Sequence, residues 1–170
     1  GTATLTVKEK KPSYGSTAYY IVAEGRPTPL LSKLYTLYYK GDTLMDVYSL
    51  LPQRGSLYSE EGKRRRMKTT LFDQKAKKAS YQIETRTLVK SDFAIPEFTQ
   101  DSLSAIYVLR SIAFKAGEKF NMPVAENGSV YKVQMQVGAA EPVKTGIGTV
   151  TGLKITPVVT APAKDAPRGV

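Results

Sequence analysis

The chain has 170 residues, 41% of them hydrophobic and 24% charged, a net charge of +10, and no histidine, cysteine or tryptophan. These absences exclude disulfides, a Ser-His-Asp triad, a Cys-His dyad and ordinary zinc sites, leaving carboxylates, lysines, tyrosines and hydroxyls as the only reactive groups. No apolar run reaches the roughly 18 residues a membrane-spanning helix needs. A positive balance of this size attracts anions, whether acidic lipid headgroups, glycans or nucleic acid, though here the cations are spread over several segments.

Alternation of period two dominates the chain and predicts antiparallel strands with one dry and one wet face. It begins at once: Ala3, Leu5 and Val7 share a face opposite Thr4, Thr6 and Lys8. A chain that opens inside a strand is expected to be a processed or trimmed form. Ala18–Ala23 is apolar on both faces, so it is expected to be covered on both sides or to line a cavity. Pro29–Tyr35, with Leu30, Leu31 and Leu34, predicts a short helical turn, and Lys40-Gly41-Asp42 a turn between strands. A basic strand over 64–72 is expected to turn at Asp73–Lys75 into an alternating strand over 79–89.

Asp101 reads as an N-cap, because a carboxylate there accepts backbone N–H bonds and favours the positive end of the helix dipole. Leu103, Ile106, Tyr107 and Leu109 give the helix that follows, over about 101–112, an apolar side expected to pack on a concave sheet face. Asn127-Gly128 supplies the positive φ angles of a tight hairpin between runs 120–124 and 130–137. Leu153 and Ile155 alternate in a last strand, and residues 160–170, rich in Pro and Ala, read as a linker or loop tail after one β-rich domain over 1–159.

Several segments, in order along the chain, resemble a bacterial family of exported proteins known as domain of unknown function 3108. They are Gly1–Val7, Leu30–Tyr35, Leu50–Pro52, Glu61-Gly62 with its basic run, Phe72-Asp73, Gln100–Arg110, Lys115–Gly117, Val130-Tyr131 and Gly148-Thr149. The resemblance implies a β-rich domain made with a secretion signal, since removed, and working in the cell envelope, periplasmic or otherwise exported. It also implies one further strand before the Gly1 segment and more after Val159. Such envelope domains look like the curved half-barrels of lipoprotein carriers, which is an analogy of fold alone.

The densest charge cluster is Lys63–Lys68. Arg64, Arg65, Arg66 and Lys68 are candidates for contact with an anion or lipid headgroup, since Arg grips phosphate in a bidentate fork. The competing reading is a charged strand that discourages edge-to-edge pairing. No aromatic residue interrupts the run, so base stacking and nucleic-acid binding are not expected. Tyrosines crowd the first third of the chain. Tyr20, Tyr35 and Tyr38, with Leu31 and Leu34 as a plug or lid, are candidate ligand-binding residues, against the plain alternative of strand packing. Asp101, Asn127 and Gly128 are assigned structural roles. Glu60 and Glu61 point to opposite faces of a strand and make a poor acid–base pair.

The resulting expectation is a mainly β fold: a curved antiparallel sheet or partly open roll or half-barrel of about eight to ten strands, with a helix and a helical turn. No catalytic residue, metal or cofactor is expected. The expected function is non-enzymatic binding of an apolar or amphipathic ligand, or of an envelope partner protein. The alternatives are a module that contacts protein, glycan or acidic lipid through its basic face and, behind it, a carboxylate-dependent cell-wall enzyme.

Overall fold

The computed structural model describes residues 1–162. Seven strands follow one another as an antiparallel meander: β1 (Thr2–Ser13), β2 (Ser16–Arg26), β3 (Leu37–Asp46), β4 (Pro52–Glu61), β5 (Arg64–Asp73), β6 (Lys78–Glu84) and β7 (Leu88–Ala94). The sheet keeps β1 and β7 as separate edges, so it is not a closed barrel. Helix α1 (Pro29–Leu34) joins β2 to β3. After β7 come helix α2 (Ser102–Ser111) and a second sheet of β8 (Lys119–Glu126), β9 (Ser129–Thr145) and β10 (Gly148–Pro162), ordered β10-β9-β8. The fold is thus mainly β with two helices, as the alternation predicts.

One face of the large sheet is the inner face, and three rungs define it. The first runs Ala3–Gly25–Tyr39–Ser59–Arg66, the second Leu5–Ala23–Gly41–Leu57–Lys68–Ile83, and the third Ile21–Thr43–Gly55–Thr70–Tyr81–Ser91. Strand β2 is covered on both sides at its centre: Ile21 on the inner face and Val22 on the outer are both buried.

Helix α2 bridges the two sheets. Ala105 is buried against Met122, Val124, Val133 and Met135 of the small sheet, with Val108 and Leu109 packed around them. Its first turn belongs to the large sheet. Asp101 Oδ1 accepts the Leu103 amide at 3.0 Å and the Ser104 amide at 2.7 Å, and Ser104 Oγ accepts the Asp101 amide at 3.0 Å, a reciprocal capping box. The other carboxylate oxygen accepts the Thr43 hydroxyl from the inner face of β3. Gly55 makes room for it: a Cβ there would lie 2.7 Å from Asp101 Oδ2. A second tie is the hairpin between β8 and β9. Asn127 and Gly128 have φ of 51° and 78°, and a Cβ on Gly128 would stand 3.1 Å from the Tyr81 ring. Val130 then packs with Ala79 and Ile95, flanked by Phe72 and Phe93.

Several expectations need correction. Lys40-Gly41-Asp42 is not a turn but mid-strand, paired with Glu24, Ala23 and Val22 on one side and Tyr58, Leu57 and Ser56 on the other. Two-sided pairing overrides the local turn chemistry. The stretch 79–89 is two strands, because Thr85–Thr87 turns, with the Thr85 amide bonded to the Thr87 carbonyl at 3.0 Å. A three-residue turn preserves the odd–even pattern, so Ile83 and Val89 pair on one face and the alternation runs through unbroken. Helix α2 gives the larger share of its apolar side to the small sheet rather than to the concave face. β10 extends through Thr160 to Pro162, so the start of the expected tail is strand, and 163–170 lie outside the described residues.

Asp101→Ala removes a helix cap and strands the Thr43 hydroxyl, and is expected to cost about 2–4 kcal/mol in urea unfolding. Gly55→Ala, which pushes against a carboxylate already fixed on three sides, is expected to cost about 1–3 kcal/mol. Burial raises the Asp101 carboxyl above its ordinary 3.8, over the opposing hydrogen bonds from Ser104, Thr43 and Leu103. A raised folded pKa contributes stability that is fully present below the unfolded value and lost as pH rises through the folded one. The stability of the wild type relative to Asp101→Asn should therefore fall as pH climbs from about 4 through that window. A flat difference across a urea-midpoint series would contradict the buried, desolvated carboxylate.

Candidate functional site

The inner face is left partly uncovered because its rungs carry little bulk. Ala3 and Gly25 on the first rung, Ala23 and Gly41 on the second and Gly55 on the third have no side chain beyond Cβ. The first turn of α2 and the β8–β9 hairpin span this floor without filling it. The result is an open groove of about 660 Å³. That is within the range of roughly 300–1,000 Å³ typical of small-molecule sites. Leu5, Leu57, Leu103 and Ile106 supply its apolar walls. Ile106 is 40% exposed, an apolar side chain turned to the groove rather than into a core.

Polar groups collect on one side. Lys68 lines the groove and its Nζ donates to Asn127 Oδ1 at 2.7 Å. Glu126 accepts the Ser102 hydroxyl at 2.9 Å. Tyr39 donates to Glu61 at 2.8 Å, and that bond, with some desolvation and the Glu61 charge, raises its phenol pKa while Arg66 opposes the rise. Burial likewise raises Tyr81, helped by Glu126 and opposed by Arg66. Arg66 therefore sits within electrostatic reach of both groove tyrosines.

Asp101 sits in the cap, Glu126 on Ser102 and Glu61, just beyond the groove, on Tyr39, while Glu24, which also borders the groove, pairs with Arg26 at 3.5 Å. On the opposite face Asp42 pairs with Arg54 at 3.3 Å and Glu60 with Arg65 at 3.5 Å. Among the described residues no group of three or more His, Cys, Asp or Glu side chains converges as a metal site. No described helix is long and apolar enough to cross a membrane.

The residues singled out in the sequence are distributed unevenly about this groove. Lys68 lines it, Arg66 follows on the next rung beside Tyr39, and Arg64 and Arg65 are exposed near the β4–β5 turn, Arg65 on the outer face. Asp101 and Asn127 line the groove and also hold the local structure, and Gly128 buttresses Tyr81. Tyr20 and Tyr38 project from the outer face, since their neighbours Ile21 and Tyr39 take the inner one. Lys11 lies 4.6 Å over the Tyr20 ring, and Arg26 5.0 Å over that of Tyr38. Leu31, Leu34 and Tyr35 are exposed on and just after α1, away from the groove lining. The residues that sequence reasoning missed are Tyr81, Leu57 and the floor glycines; Tyr39 belongs to the tyrosine cluster, Ile106 to the helix side expected on the concave face, and Ala23 to the stretch expected to line a cavity. The available signal was glycine inside strand-like runs, at 25, 41 and 55, which marks close backbone approach or an unfilled face.

No curated protein and no solved structure matches the chain. A family model does, over residues 1–166, and with nearly the whole chain covered the protein belongs to the family described as Protein of unknown function (DUF3108).

Proposed function

We propose that this is an exported cell-envelope protein that binds an amphipathic small molecule in the inner-face groove and performs no chemistry on it. The observation that carries the reading is the floor of consecutive small residues, Ala23, Gly25, Gly41 and Gly55, which keeps about 660 Å³ open beneath α2. An apolar chain or ring would lie along Leu5, Leu57, Leu103 and Ile106, removed from water at about 25 cal/mol per Å². An anionic end would meet Lys68, with Arg66 beyond it. Orientation by a few polar groups within an apolar cleft is the usual design of such sites. The groove-side carboxylates are engaged in caps and hydrogen bonds, which favours binding over acid–base catalysis. Placement in the envelope rests on the chain's resemblance to exported proteins.

Anilinonaphthalene sulfonate, an apolar anion that fluoresces when shielded from water, is a suitable probe, with laurate as competitor. Binding by the wild type and displacement by laurate are expected. Ala23→Trp, which fills the second rung, is expected to weaken binding at least about tenfold while leaving the unfolding free energy within ~1 kcal/mol of wild type. Lys68→Ala should weaken laurate more than dodecanol, by about three- to tenfold. An Ala23→Trp protein that binds both as the wild type does would refute the groove as the site.

A further inference from the structure

We propose that the end of the large sheet formed by α1 and the β4–β5 turn docks on a bilayer that contains acidic phospholipid, with the α1 leucines entering the interface. Helix α1 has no buried residue, and Leu30, Leu31 and Leu34 are 73%, 55% and 78% exposed. Nothing in the packing calls for leucine at these positions. The turn is nonetheless built: Thr28 caps it, Pro29 starts it, and the Ser32 and Tyr35 amides bond back to Thr28 and Leu31 carbonyls at 3.0 and 2.9 Å. A defined backbone thus holds apolar side chains out into solvent.

The surrounding charge is predominantly positive: Glu24 and Glu60 flank the two segments but pair with Arg26 and Arg65, each at 3.5 Å, and Glu61 accepts the Tyr39 hydroxyl. No acidic residue occurs from Gly25 to Thr36, while Arg26 and Lys33 do. The β4–β5 turn adds Lys63, Arg64 and Arg65, all exposed. The two segments touch: Gly62 N–H bonds to the Thr36 carbonyl at 2.7 Å, and a Cβ on Gly62 would lie 3.0 Å from the Tyr35 ring. Protruding leucines beside an excess of cations are what an anionic lipid surface complements, because apolar insertion and electrostatic attraction add. A soluble protein partner with an acidic rim, or a second copy of the chain, would use the leucines without needing lipid.

The test is co-sedimentation of the full chain with phosphatidylcholine vesicles, with and without phosphatidylglycerol. Binding is expected only with phosphatidylglycerol and should weaken with added salt. Leu30→Ser, Leu31→Ser and Leu34→Ser together should reduce it at least about tenfold. Lys63→Gln, Arg64→Gln and Arg65→Gln together should reduce it by up to about fivefold per cation removed. These side chains are exposed, so unfolding midpoints and anilinonaphthalene sulfonate binding should stay unchanged, which separates this surface from the groove. The proposal is overturned by a wild type that ignores phosphatidylglycerol vesicles, by a triple-serine variant that sediments as the wild type does, or by sedimentation velocity showing that the leucines form a dimer while vesicles stay bare.

Discussion

A buried carboxylate anchors the helix that joins the two sheets of this fold. Asp101 caps α2 with one oxygen and holds the Thr43 hydroxyl of β3 with the other, and Gly55 of β4 leaves the space in which it sits. Every pairing within the large sheet is between strands adjacent in sequence, so the meander needs no long-range contact to form its ladders. What fixes the sheet against the rest of the molecule is a short set of distant contacts, of which Asp101–Thr43 is the most buried. Desolvating a carboxylate costs several kcal/mol unless it is fully hydrogen-bonded. Three donors, two of them amides at a helix N-terminus, offset much of that cost.

The groove is the consequence of how α2 divides its apolar side. Ala105, Val108 and Leu109 go to the small sheet, and Leu103 and Ile106 face the inner side of the large one. Leu103 stands 3.6 Å from where a Cβ of Gly41 would be, so the helix crosses the floor at one point and does not lie down on it. Larger residues at Ala23 and Gly41 would fill the space and turn the groove into ordinary core. The cavity therefore arises from residues too small to fill a concave face, rather than from a ring of converging polar groups.

Local signals in the sequence place the capped and turned elements and do not decide the faces. The Asp101 cap, the Asn127-Gly128 hairpin and the α1 turn depend on neighbours within a few residues, and each is where its local chemistry places it. Alternation shows that Tyr38 and Tyr39 point opposite ways, but not which of them points inward. That is decided by α2 and the β8–β9 hairpin, roughly sixty to ninety residues later in the chain, which is why a tyrosine cluster in the sequence does not become a cluster in the groove. Gly41 shows the same limit from the other side. Between Lys40 and Asp42 it has the composition of a turn, and only pairing with both β2 and β4 makes it strand.

The groove and the proposed lipid-docking end rest on separate observations, yet the rungs connect them. The third rung is closed by buried Asp101 at Thr43 and Gly55. The first rung, with Gly25 and Tyr39, leads toward the β2–β3 connection that carries α1 and toward Arg66 at the start of β5. The groove thus has Asp101, Thr43 and Tyr81 toward its third rung and the small residues Ala3 and Gly25 with Tyr39 on its first. If α1 lies in a bilayer interface, the first rung faces the lipid, and an amphipath leaving the bilayer would pass Tyr39 before reaching Leu57 and Lys68. The cations on the inner strand face, Arg66 and Lys68, would then follow its headgroup inward, while Lys63, Arg64 and Arg65 remain on the surface it left. One basic run would thereby serve both surfaces, divided between them by strand alternation and by its start in the β4–β5 turn.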